Sequence, residues 1–147
     1  MNSKKTKITV DILMTISLTL SFIRWDNSNF AFHAAVGLLC ALFFAMHVLI
    51  HRKWLRATTK SCLSGKLNKG LKWKYVINIL LLAFWGVSIA TGFIAIVPFM
   101  GDSEGVSTLG RLHGITARIG LGLVVIHIIQ HLPQIKLYIG IKKAGEK

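Results

Sequence analysis

The chain has 147 residues, 53% of them hydrophobic, with five acidic side chains against 18 lysines and arginines and a formal net charge of +13. That length argues for one domain, and a mean hydropathy of +0.59 with so few acids excludes an ordinary soluble domain. Two cysteines, Cys40 and Cys62, are too few for four-cysteine iron–sulfur ligation, and no C-x-x-C-H run is present for covalent c-type haem.

Four apolar stretches follow in order, and each is read as a helix. A bilayer-spanning helix needs about 20 apolar residues. The first stretch, residues 8–23, is short for that and rich in serine and threonine. Lys4, Lys5 and Lys7 precede it as they would in a signal peptide, but the chain continues "SFIRWDNSNF" without a small-x-small cleavage site. It is therefore read as a retained helix. The second stretch, residues 30–50, is long enough to span. A basic segment follows, with Arg52, Lys53, Arg56, Lys60, Lys66, Lys69, Lys72 and Lys74, and is read as a loop. Residues 75–99 and 112–132 complete the set of spanning segments. Cys40 and Cys62 then stand at different levels, and no disulfide is expected.

The positive charge follows the helix ends. It precedes the first helix, fills the segment between the second and third, and follows the fourth at Lys136, Lys142, Lys143 and Lys147. The other two connections carry only Arg24 and Arg111 as bases, beside Asp26, Asp102 and Glu104. This asymmetry places both termini and the basic segment in the cytoplasm. The bases are expected to meet anionic lipid. Nucleic acid is not an expected partner, because the bases track membrane edges and no nucleic-acid motif accompanies them.

All six histidines lie in "FHAAVGLLCALFFAMHVLIH" and "LHGITARIGLGLVVIHIIQH", where His33, His47 and His51 recur at an offset of 80 as His113, His127 and His131. The preceding helices, "VDILMTISLTLSF" and "VINILLLAFWGVS", also resemble each other. The sequence thus reads as one helical hairpin made twice, with parallel topology. The predicted fold is an all-α, integral-membrane, four-helix up-down bundle. Its second and fourth helices are diagonal partners across the axis.

Fourteen residues at about 100° each return a helix to within roughly 40° of its starting face, about 21 Å further along. His33 and His47 therefore share a face, as do His113 and His127. That separation is too great for a binuclear metal centre. It suits two planar cofactors stacked along the bundle, each clamped by one imidazole from each helix. Histidine is a standard axial ligand of haem. The expected cofactors are two non-covalent b haems, the outer on His33 and His113 and the inner on His47 and His127. Zinc is the chemical rival, but two imidazoles per level are too few, and neither histidine-bearing helix contributes an acid. His51 and His131 stand one turn beyond the inner pair. They are propionate partners, quinone-site groups or interfacial residues, or, at a spacing of 18, the inner ligands themselves. Gly37, Cys40, Gly114, Ala117, Gly120 and Gly122 supply small side chains near this face. Either a macrocycle or ordinary membrane-helix packing uses such residues. Arg118 is the one charge inside the fourth apolar segment. Such a charge requires an anionic partner or a polar cavity, and an outer-haem propionate is the expected partner. The bland alternative is a snorkelling arginine.

The entries "K-x-x-x-D-I-L-M" and "N-I-L-L-L", Thr91–Gly92 near the end of the third helix, and the doubled H-x13-H-x3-H pattern resemble the flavinylation-associated cytochromes. These are small four-helix relatives of the di-haem cytochrome b superfamily. The resemblance covers nearly the whole chain and departs at "SLTLSF", where that family commonly shows Thr-Gly. It implies two b haems, electron transfer across a bacterial inner membrane, a quinone or cytoplasmic donor, and an extracytoplasmic flavoprotein or other redox partner. Two other readings remain: a membrane-anchor subunit of a larger dehydrogenase or reductase, and a quinone-coupled oxidoreductase acting on a small oxidant. No nucleophile–base pair or paired carboxylates support hydrolytic or acid–base catalysis.

Overall fold

The structure, a computed structural model, describes residues 3–23, 30–96 and 103–138. It is all-helical, with α1 over Ser3–Ser21, α2 over Phe30–Leu63, α3 over Lys69–Ile96 and α4 over Ser103–Tyr138. Arg24, Asp26 and Asp102 lie outside the described residues, as do Lys142, Lys143 and Lys147. Among the described residues, α2, α3 and α4 are long and apolar enough to cross a membrane, whereas α1 is not.

The serine- and threonine-rich α1 accommodates its hydroxyls by bonding them to carbonyls of its own preceding turn. Thr15 donates to the Asp11 carbonyl at 2.8 Å, Thr19 to Thr15 at 2.8 Å, and Ser21 to Leu18 at 2.8 Å. Such bonds let polar side chains sit in an apolar medium without orphaned donors. Ile12, Ile16 and Leu20 of α1 nevertheless face outward, as the aliphatic side chains of the longer helices do.

The distribution of side chains reverses that of a soluble protein. Among the described residues, the buried set mixes Val10, Leu18, Val36, Cys40, Ile77 and Leu81 with Ser17, Thr58, Ser88, Thr91 and Thr116. Large aliphatics such as Leu42, Leu49, Ile115 and Ile129 are exposed. Small and polar residues at the helix contacts, with aliphatics outside, are the arrangement that lipid favours.

The basic segment is not the expected loop. α2 continues from His51 to Leu63, and α3 begins at Lys69. Lysine and arginine are good helix formers, so a run of them extends a helix into water as readily as it makes a loop. The chain breaks only at residues 64–68. Gly65 has φ of +70°, Lys66 N–H donates to the Ser61 carbonyl at 3.0 Å, and Gly65 N–H donates to Cys62 at 3.1 Å. This paired closure is the Schellman motif, which requires a left-handed residue. Asn68 then caps α3, its Oδ1 accepting from Leu71 N–H at 2.8 Å. Gly65→Ala is expected to cost about 1 kcal/mol, read as a lower melting temperature in detergent with the helix content retained.

Consecutive helices pack together. α1 lies on α2, α3 on α4, and the two hairpins meet along α2 and α3. Among the described residues, α2 and α4 bring no Cα atoms within 8 Å of each other, nor do α1 and α4. The space between α2 and α4 is spanned by side chains alone.

Candidate functional site

The histidines occupy two levels of that space. At the first level, the rings of His33 and His113 face each other across the α2–α4 gap, with centroids 6.0 Å apart and planes at 88°. His113 Nδ1 lies 2.8 Å from the Ser88 carbonyl and 3.3 Å from Ser88 Oγ. A carbonyl only accepts, so Nδ1 carries the proton and donates, which leaves the lone pair on Nε2. Ser88 is 1% exposed, so this anchor is held rigidly within the α3–α4 contact. His33 is hydrogen-bonded to the backbone of Ser21.

Gly92 closes one side of the His113 ring. A Cβ at Gly92 would lie 3.1 Å from His113 Cε1 and 3.2 Å from Nδ1. Nothing lies within 4 Å of where a Cβ would stand at Gly37, Gly114 or Gly122. Gly120 is different: Trp85 Nε1 would be 3.1 Å from its Cβ, so the indole fills the space that this glycine leaves. Phe44 stands beside that indole, with ring centroids 6.5 Å apart.

At the second level, His47 Nδ1 lies 2.6 Å from Asp11 Oδ1. His127 Nδ1 lies 2.7 Å from Asn78 Oδ1. Both nitrogens again donate, and both rings are left with the lone pair on Nε2. His127 is within electrostatic range of His131, His47, Asp11 and His51. His51 packs on His47 and His131 on His127, each with ring centroids 4.6 Å apart and planes at 41° and 42°. Neither His51 nor His131 receives a hydrogen bond from α1 or α3 among the described residues. His131 Nε2 and Gln130 Oε1 are buried without a hydrogen-bond partner.

The anchoring residues escape the sequence reading. Asp11 and Asn78 are 67 positions apart, as are Ser21 and Ser88. The helix strings "VDILM" and "VINIL" begin 66 apart, so matching their first valines misses this register by one residue. An acid or amide inside an apolar helix entry is the signal that would have found them, since intramembrane polar groups have partners.

Asp11 also changes the metal argument. Asp11, His47 and His51 offer ligand atoms within 4.8 Å of one another, the carboxylate coming from α1. Arg118 lies on the exposed surface of α4 and makes no hydrogen bond or ion pair among the described residues. Comparison with known proteins adds no relative: no family model, no curated protein and no solved structure matches the chain.

Proposed function

We propose that the protein is a transmembrane electron carrier holding two b haems, one on His33 and His113 and one on His47 and His127. The observation that carries this reading is the anchoring of the histidines. His47, His113 and His127 each commit Nδ1 to an acceptor on the preceding helix, and His33 bonds to the equivalent serine backbone. Ligating histidines are oriented in this manner, through the nitrogen that does not bind the metal. The ring separation also fits: two imidazoles sharing one metal at bonds of about 2 Å hold their centres about 6 Å apart, against 6.0 Å for His33 and His113. The absence of α2–α4 backbone contact leaves room between the rings. When bound, haem supplies one-electron redox chemistry; the protein supplies ligands, spacing and field.

In this reading the two hairpins are repeats, and the basic ends of the helices face the cytoplasm of a bacterial inner membrane. The four-helix frame belongs with the flavinylation-associated cytochromes. Electrons pass between a quinone or cytoplasmic donor and an extracytoplasmic flavoprotein or similar acceptor. Arg118, at the outer level, serves a haem propionate. The same frame also suits an anchor subunit of a larger complex or a quinone-coupled oxidoreductase, and co-purified partners would distinguish these.

The test is a reduced-minus-oxidised spectrum with a haem count. The expected result is two haems per chain, all removed by acid–acetone. A fully loaded preparation with one haem or none overturns the reading. A second reading rests on the Asp11–His47–His51 cluster, which has the donor set of a divalent-cation site. Stoichiometric zinc or another divalent metal that survives dialysis, and is lost in His51→Ala, would favour it over a haem at that level.

A further inference from the structure

The anchors of the histidines differ in charge. Ser21 and Ser88 contribute backbone groups, Asn78 a neutral amide oxygen, and Asp11 a carboxylate. The bond to Asp11, at 2.6 Å, is shorter than the 2.7 Å and 2.8 Å bonds to His127 and His113. Among the described residues no lysine or arginine pairs with Asp11, so its close partner is the neutral His47 ring. Asp11 sits in the middle of α1, where its side chain caps no helix end.

We propose that Asp11 is a redox-tuning residue, whose carboxylate lowers the electron affinity of the level built on His47 and His127. This inference rests on the two-haem reading above. Two effects act with the same sign. Accepting the Nδ1 proton enriches the His47 ring in electron density and makes its Nε2 a stronger donor, as carboxylate partners of ligating histidines do. The negative charge itself also favours the oxidised, more positive iron. Lys7 and Lys74 lie within electrostatic range of His51 and His131 and act in the opposite sense. They remain in every variant compared, so they cancel from the differences. Asn78 holds the equivalent place on α3 and supplies the matching neutral anchor.

The experiment is a pair of exchanges, Asp11→Asn and Asn78→Asp, each made in the full chain. Each variant is read by haem content, by redox titration of both haems, and by electron paramagnetic resonance of the ferric protein. Asp11→Asn is expected to raise one midpoint potential. At the wild-type midpoint its reduced-to-oxidised ratio should move from one to about ten, which is about 59 mV for one electron. Asn78→Asp is expected to lower the same potential by a similar factor, and the ferric signal of that haem should move with it. The other haem should be unaffected. A merely structural role for Asp11 would not give shifts of opposite sign. Two retained haems with unchanged potentials in Asp11→Asn, or an upward shift in Asn78→Asp, overturns the inference. If Asp11→Asn fails to load its haem, the sign of the shift in Asn78→Asp decides. A wild-type protein without two haems defeats the underlying reading instead, and does so before either variant is made.

Discussion

On the proposed two-haem reading, alanine at His33 or His113 is expected to reduce the haem content from two per chain to one, and alanine at His47 or His127 to remove the other haem. Each ring has one nitrogen fixed by the preceding helix, so on the proposed reading its loss removes an oriented ligand. The neighbours of the second level make this prediction discriminating. His51 and His131 lie within 4.6 Å of His47 and His127 by ring centroid, close enough to be mistaken for ligands. Among the described residues they make no anchoring bond to α1 or α3, and metal-binding histidines almost always have one. His51→Ala and His131→Ala should therefore retain both haems, with at most a shifted potential. A haem count on the six single variants decides between the spacings. Loss of a haem in His51→Ala but not in His47→Ala would move the ligands one turn along α2.

Gly92→Val is expected to have an effect nearly as large, although Gly92 carries no functional group. The ring of His113 lies 3.1–3.2 Å from where a Cβ would stand, and on its Nδ1 side is held to Ser88. A branched side chain at this position displaces the imidazole from the Ser88 carbonyl, and the ring loses the bond that orients it. Loss of such an outer partner typically costs about 10–100-fold in metal affinity. The variant should lose the His33–His113 haem selectively, or bind it at least tenfold more weakly, while the other haem remains. Gly92→Ala should lie between wild type and valine, because the ring need move only by tenths of an ångström. Gly86→Val is the control: nothing lies within 4 Å of a Cβ there. Equal haem loss in both valine variants would show general disruption of α3 and remove Gly92 from the site.

All four helices were legible as apolar stretches, three of them long enough to span, and the histidines of each helix were grouped by a 14-residue spacing that returns to one face. Periodicity says which face a residue occupies but not what stands opposite. Asp11 and Asn78 were accordingly visible as polar interruptions of apolar strings, and their bonds to His47 and His127 were not. Helix ends were misjudged for another reason. Arg52 and Lys53 interrupt an apolar run without interrupting a helix, since charge marks where the solvent changes and not where the backbone turns. Gly65 and Asn68 mark the turn itself, through left-handed φ and a side-chain cap. Gly120 shows the same limit in packing. Its small size is compatible with a cofactor or with a neighbouring residue, and only the position of Trp85 distinguishes them.

The helical extension of α2 has a consequence for what can reach the second level. From His51 to Leu63 the helix rises about 18 Å, and the start of α3 returns alongside it. A bulky protein resting on the tip of this hairpin would be kept at that stand-off from the nearest imidazole, a separation over which tunnelling falls off steeply. Close approach would be left to molecules that come in sideways below the tip. The extension therefore acts as a steric filter. For the electron carrier proposed above, it would favour a small carrier dissolved in the lipid over a large globular donor, and the length of α2 would decide which molecules reach the second level.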